Sequence, residues 1–493
     1  MEAFLHPLQG LAEFEEIKKR CGANCGILNV SGCMESQKVH LMYGLSGLFP
    51  YHLILADDER NAKEIYEDYR FYDKNVYFYP AKDLLFFQAD IHGNLLIRQR
   101  MRVIRALLEQ EEVTVVTSID GCMDFLMPLE KIRSRLLHFK SDSVIDLDQL
   151  KEELVELGYE RTGQVELPGQ FSVRGGIIDI YPLTEDNPWR IELWDDEVDS
   201  IRSFDAESQR SLENVDEITI YPAAEKMDGE DMVSFLDYFP EEKTLVFLDE
   251  LNHLAENGEG VEEEYRQSRM HREEKGEANL PEQWLCGFQE LQKKLNRRNC
   301  VAVSALSPRR SGWKINEEFD LTVKSVDSYN SSFELLVKDL LQYKSQGYRI
   351  ALLSGSRTRA ERLAKDLSEE GLNAFYSQDM DRIISPGEIM VVYGHARRGF
   401  QYPLIKFAVM TETDIFGKEQ KKRKKKKKYS GNRIQDFAEL SIGDLVVHEK
   451  HGLGIYRGIE KVEVDRVVKD YIKIEYRGGS NLYILATQLD ALQ

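Results

Sequence analysis

The 493-residue chain has no apolar run approaching the twenty or so residues that a membrane-spanning helix needs. Its opening stretch, MEAFLHPLQGLAEFEEIKKR, is not a signal peptide. These absences set aside membrane and secreted proteins, so a cytoplasmic location is expected. Cysteine is scarce. Six in this length argue for reduced thiols rather than a disulfide framework. Cys21 and Cys25 form a lone C-x3-C pair with no second pair behind it, so buried structural thiols are expected there rather than zinc. Excess positive charge is also missing: the net charge of −21 argues against a general nucleic-acid coat. The one basic run, KKRKKKKK at 421–428, contributes +8 and leaves about −29 on the remainder. It reads as a solvated linker, with weak, salt-sensitive DNA contact as a secondary possibility.

An intact phosphate loop is absent as well. Residues 31–40, SGCMESQKVH, follow a short apolar run and lead into a helical pattern, where a nucleotide-binding strand would turn into its helix. Against the template Gly, four free positions, then Gly-Lys-Ser/Thr, Gly32 and Lys38 fit. Gln37 stands where the close-approach glycine belongs, and Val39 has no oxygen for magnesium. On these ten residues alone, Gly32 is an ordinary turn glycine and the rest coincidence.

A chain of this length implies three or four domains. From Gly26 to about Ser118, β runs (YHLILADD, NVYFYP, VTVVTS) alternate with helical stretches such as NLLIRQRMRVIRALLEQ at 94–110, which implies a doubly wound parallel sheet. Between 128 and 222, GGIIDIYPL, WRIELWDD and EVDSIRSFD read as an α+β insert with a β-hairpin. The α/β pattern then resumes. KTLVFLDELNHL runs into Asp249-Glu250, the shape of a Walker B strand end though common as plain strand punctuation, and CVAVSAL is another buried strand.

A second α/β unit, 326–416, has a helix at 333–345, the strand RIALLS, and a helix capped by Gly371. It carries no nucleophile–base pair or metal-ligand spacing. After the linker, GDLVVHEKHGLGIYRGIEKVEV, KDYIKIEYRGGSNLYIL and QLDAL read as about five short strands of a small barrel, with Gly478-Gly479 turning a hairpin. His448 and His451 lack a third metal ligand. Gly452, Gly454 and Gly458 are strand-turn glycines, since no helix follows them. The expected division is 1–127 and 223–325 for the two parts of the α/β domain, 128–222 for the insert, 326–416 for the small α/β domain, 417–436 for the linker and 437–493 for the barrel.

Three stretches, FSVRGGIIDIYP, RIELWDDEVDSIRSFDAESQRS and GDLVVHEKHGLGIYRG, occur in this order of parts. Together they resemble the N-terminal half of the transcription-repair coupling factor family (Mfd). The first two also resemble the excision-repair protein UvrB, and the third the RNA-polymerase-interacting domain of CarD-like regulators. The resemblance covers nearly the whole chain and is weakest over 326–416. It implies a RecA-like sheet with a decayed P-loop, of which Gly32, Gln37, Lys38, Val39, Asp249 and Glu250 are the traces, and an SH3/Tudor-like barrel. It further implies that Arg174, Arg190 and Trp194 grip UvrA, the last being Trp where the family pattern has Phe. Val462, where the family pattern has Leu, with Glu463 and Val464, would contact the β subunit of RNA polymerase.

The family's motor, an ATP- and magnesium-dependent pair of DNA translocase domains, lies after the barrel. No other Gly-Lys-Ser/Thr occurs before Gln493, so this chain is expected to be non-enzymatic and without a cofactor. A UvrA-binding face masked in the complete family member is expected to be open here. By residues alone, Arg190, Glu192 and Trp194 share one strand face, and a core Trp194 with arginines paired to Asp195, Asp196 or Glu192 competes with the interface. The rival function is a UvrB-like module with residual ATP and damaged-DNA binding. It needs a loop hydroxyl and a tyrosine-rich hairpin, and AKDLLFFQADIHGNLL offers only Phe86 and Phe87.

Overall fold

The structure, a computed structural model, describes residues 1–22, 25–82, 94–224, 232–274, 285–308, 312–417, 442–448, 452–464, 467–475 and 481–485. Runs such as Leu53-Ile54-Leu55 are apolar on both sides of the pleat, which suits a strand covered on both faces. The strands lie in a seven-stranded sheet, in the order Ile315–Asp320, Ile27–Ser31, Cys300–Val303, Thr244–Asp249, Tyr51–Ala56, Val113–Ser118, Val76–Tyr79. Every pairing is parallel. Ile54 and Val116 pack into one core and Leu53, Leu55 and Val115 into another, so helices cover both faces as expected. Segments from before and after the insert interleave: Thr244–Asp249 pairs with Tyr51–Ala56, and Ile27–Ser31 lies between Cys300–Val303 and Ile315–Asp320.

The insert leaves and rejoins this unit at one place, because Leu137–Lys140 pairs antiparallel with Glu217–Ile220. Its sheet has six strands, ordered Ser211–Val215, Glu197–Phe204, Trp189–Trp194, Ile177–Ile180, Gln170–Arg174, Glu160–Arg161. Phe171, Ile178, Ile180, Ile191 and Ile201 share a core with Leu150 and Leu154 of the helix Leu147–Glu156. Polar contacts join the insert to the helix Asn94–Glu109. Arg98 and Arg102 reach Asp186 at 2.6 and 2.5 Å, and Arg105 pairs with Glu185.

The second α/β sheet is ordered Lys324–Ser325, Phe400–Tyr402, Phe407–Thr411, Arg349–Ser354, Glu388–Tyr393, Asn373–Tyr376, and begins just ahead of residue 326. Its helices are Phe333–Ser345 and Arg357–Glu369, and Gly371 takes φ +80° after the latter. This unit shares a core with the first: Leu41, Met42 and Tyr69 lie in one cluster with Leu353, Val392, Phe400 and Val409.

The seam is polar at its rim. The buried carboxylate of Asp68 accepts from the Ser36 hydroxyl (2.7 Å), the Arg397 amide (3.0 Å) and Arg397 Nε (3.1 Å), and the Arg398 amide donates to Ser36 Oγ (3.1 Å). Close approach there requires glycine, since a Cβ on Gly394 would lie 2.1 Å from the Phe71 ring.

Among the described residues the C-terminal segment is an antiparallel meander of four strands, Leu445–His448, Gly452–Val464, Val467–Glu475 and Asn481–Leu485. That is one fewer than about five. QLDAL lies outside the described residues, as do Gly478-Gly479, His451, the basic run and Phe86-Phe87. Gly458, at φ +99°, sits where the register slips between Tyr456 and Ile459. This is a bulge, which accounts for a glycine inside a strand.

Two histidines are sealed in the first unit. His40 has Nδ1 3.1 Å from the Tyr402 hydroxyl and Nε2 3.0 Å from the Phe4 carbonyl, and His52 has Nδ1 3.1 Å from Thr114 Oγ1. Burial pulls both down to about 4. The unfolded chain protonates near 6.5, so stability is full above about pH 6.5. It falls by up to about 1.4 kcal/mol per pH unit for each ring as the pH drops towards 4. Imidazole resonances followed by NMR should report both rings neutral at pH 5.5; a midpoint near 6.5 would mean that water reaches them.

Candidate functional site

At the phosphate-loop position, the strand Ile27–Ser31 turns through Gly32 (φ +75°) into the helix Glu35–Ser46. A Cβ on Gly32 would stand 2.1 Å from the Leu321 carbonyl oxygen, and the Leu321 amide donates to the Ser31 carbonyl at 2.9 Å. Main chain from the neighbouring strand therefore lies directly against the turn. Gln37 accepts from the Met34 amide (3.0 Å) and donates to the buried Tyr402 hydroxyl (2.9 Å), closing the first turn and tying it to the second α/β unit. Val39 is fully buried in the shared core.

Lys38 Nζ donates to Asp249 Oδ1 (2.7 Å) and Glu250 Oε1 (2.6 Å). Asn61 donates to the other Asp249 oxygen (2.7 Å), and the Ala305 amide to Glu250 Oε1 (2.8 Å). Burial alone would lower the Lys38 pKa, but Asp249 and Glu250 outweigh it and hold the ammonium above its ordinary value. The structure thus brings Lys38 together with Asp249 and Glu250, while Gln37 reaches the second α/β unit and Val39 the shared core. Apart from the turn glycine, each of the six traces has a partner inside the protein.

In the insert, strand alternation places Ser172, Arg174, Asp179, Arg190, Glu192 and Trp194 opposite the core-facing Phe171, Ile178, Ile180 and Ile191. Asp179 is 1% exposed and lies between two arginines. Arg190 meets it with Nε–Oδ1 at 2.6 Å and Nη2–Oδ2 at 2.9 Å, and Arg174 donates Nη2 to Oδ2 at 2.7 Å. Arg190 also donates to Gln209 Oε1 (3.0 Å), and its guanidinium lies 4.3 Å from the Phe204 ring centre. The hydrogen bonds of Asp179 hold the Arg190 guanidinium above its ordinary value. Glu192 pairs with Arg202, whose hydrogen bonds pull that carboxyl down. Arg174 is 46% exposed at the end of its strand, and Arg190 only 13%.

Trp194 is 80% exposed, so the reading of it as core is corrected. It is the last residue of its strand, beyond a register slip at Glu192/Leu193, and projects from the face opposite the core. The arginines do pair locally, but with Asp179 rather than with Asp195, Asp196 or Glu192. Sequence reading missed Asp179, Gln209 and Phe204. The usable sign was a single carboxylate inside the apolar run Ile177-Ile178-Asp179-Ile180, since a carboxylate buried there would need cations or several donors beside it.

Val462, Glu463 and Val464 end the strand Gly452–Val464, their backbones paired with Lys469, Val468 and Val467. Their side chains lie outside the described residues. All six cysteines are free thiols, and no group of three or more His, Cys, Asp or Glu suited to a metal occurs among the described residues. No described helix is long and apolar enough to cross a membrane.

Breaking the Lys38 contacts tests how far they support the first unit. Lys38→Met should lower unfolding stability by about 3 kcal/mol, because it strands the nearly inaccessible Asp249 carboxylate. Adding Asp249→Asn and Glu250→Gln should recover most of that loss in urea titrations.

Two family models match this chain, the UvrB interaction domain over residues 137–225 and the CarD-like/TRCF RID domain over 440–493. Among curated proteins, the transcription-repair-coupling factor of Bacillus subtilis (strain 168) is 29% identical over 94% of this chain and 46% of its own length. That of Staphylococcus epidermidis (strain ATCC 12228) is 28% identical over 90% and 42%, and that of Staphylococcus aureus (strain MRSA252) 27% over 85% and 41%. The chain thus spans just under half the length of these relatives. Along nearly all of its own length it matches the N-terminal part of the transcription-repair-coupling factor family, with a UvrB interaction domain and a CarD-like domain in the order its motifs indicate.

Proposed function

We propose that this chain is a recruiting module of transcription-coupled repair, joining excision-repair UvrA to RNA polymerase. The observation that carries the UvrA half is the solvent-facing Trp194 on the same sheet face as the half-exposed Arg174, within the matched UvrB interaction domain. An exposed large aromatic and an arginine held by a buried carboxylate, on one sheet face, are the residue types in which binding hot spots are enriched.

The polymerase half rests on the CarD-like/TRCF RID match and on the long antiparallel strand Gly452–Val464, whose end holds Val462, Glu463 and Val464. In this reading the meander is a small SH3/Tudor-like barrel, and its partner is the polymerase β subunit. The seven-stranded parallel sheet is a RecA-like fold. Its Lys38 is engaged by Asp249 and Glu250 and its Val39 is core, so the module binds partners rather than hydrolysing nucleotide. ATP-dependent translocation would belong to other parts of a full-length protein.

Arg174→Ala and Trp194→Ala should each weaken binding to purified UvrA by about 2 kcal/mol in calorimetry. Unchanged affinity in both would remove the docking assignment. Val462→Arg should abolish binding to RNA polymerase without moving the melting temperature; unfolding instead would make Val462 a core residue.

A further inference from the structure

We propose that Asp179 is the positioning residue of the insert's docking face, holding Arg174 and Arg190 in one fixed arrangement so that Arg174 meets the partner already ordered. The inference rests on the reading of this face as the UvrA-docking surface and deepens it.

The two arginines do different work. Arg190 spends Nε and Nη2 on both oxygens of Asp179, gives Nη2 also to Gln209, and lies over the Phe204 ring. With 13% of its side chain exposed, it has little to offer a partner. It acts as a strut. Gln209 is itself oriented, donating Nε2 to the Ala206 carbonyl at 2.8 Å, so the strut is braced from the turn after Phe204. Arg174 touches the same carboxylate through Nη2 and is otherwise half exposed. Of its five donors, most remain for a partner carboxylate.

A guanidinium on a flexible stem loses rotamer freedom when it binds, and a carboxylate that holds it beforehand removes much of that cost. Two guanidinia this close would also repel, and the carboxylate between them lets both stay.

Charge and geometry predict opposite signs. Asp179→Asn raises the positive charge of the face by one. A face that worked by charge alone would then hold an acidic counter-surface more tightly, whereas one that works by fixed geometry holds it less tightly.

The test measures the affinity of the whole chain for purified UvrA by surface plasmon resonance. Asp179→Asn should weaken binding about tenfold, the size expected when one or two rotamer-rich side chains must be ordered on binding, with the loss in the dissociation rate. In the background of Arg174→Ala with Arg190→Ala, the same substitution should change affinity less than about twofold, because there is nothing left to position. Equal or tighter binding by Asp179→Asn overturns the proposal, as does an undiminished loss in the double background. If Asp179→Asn melts well below the parent chain, Arg190→Lys takes its place. It keeps the charge but not the two-pronged contact, and unchanged affinity there overturns the proposal equally. Wild-type affinity in both Arg174→Ala and Trp194→Ala would instead overturn the docking reading and this inference with it. Losses in those two with none in Asp179→Asn would overturn the inference alone.

Discussion

A carboxylate removed from water costs several kcal/mol unless cations or several donors answer it. Asp68, Asp179 and Asp249 are each almost wholly inaccessible, and each lies where two pieces of the chain must be held together. Asp68 is answered by Ser36 and by the amide and guanidinium of Arg397, and it fixes the seam between the two α/β units. Asp249 is answered by Lys38 and Asn61, which ties the helices following the strands Ile27–Ser31 and Tyr51–Ala56 to the carboxyl end of Thr244–Asp249. Asp179 is answered by two arginines and fixes the face of the insert. Apolar packing supplies the driving force in each place; the buried acids decide which arrangement satisfies it.

The two α/β units come together over the helix that begins at the phosphate-loop position. Ser36, Gln37 and His40, within two turns of one another, reach Arg398, Tyr402 and again Tyr402. A helix start of this kind ordinarily offers its free amides to an anion. Here the Gln37 side chain caps the Met34 amide, and the helix side packs against a neighbour. The insert packs Leu183 and Tyr221 into the first unit's core and adds arginine–carboxylate contacts at the Asn94–Glu109 helix. Such contacts weaken with salt, as packed apolar surface does not.

Much of this was legible. Unbroken apolar runs gave the parallel strands, because a strand covered on both faces has no polar side, and RIALLS and the helix at 333–345 fall where periodicity put them. Lys38 and Asp249-Glu250 were recognisable as a set only against a template, and their mutual contact is a fact of strand order, which periodicity does not encode. Trp194 shows the limit more sharply. Alternation along one strand told which residues share a face but not whether that face is covered, and the choice between core and surface turned on what the neighbouring strands bring to it. Asp179 went unnoticed for the same reason: its two partners come from the preceding and following strands.

The main chain at Leu321 lies so close to Gly32 that the turn has no room to spare. Gln37 caps its own helix and binds Tyr402, Val39 is core, and Lys38 is neutralised on two sides. Placing a glycine at position 37 and a hydroxyl at position 39 would therefore not open a cavity. It would remove a cap, place a polar group in the core, and leave the Leu321 backbone where it is. The parts of this corner depend on one another: Gln37 holds Tyr402, Lys38 holds Asp249 and Glu250, and Val39 fills the core between them and the neighbouring unit. Reshaping it for a ligand therefore means moving several of them at once.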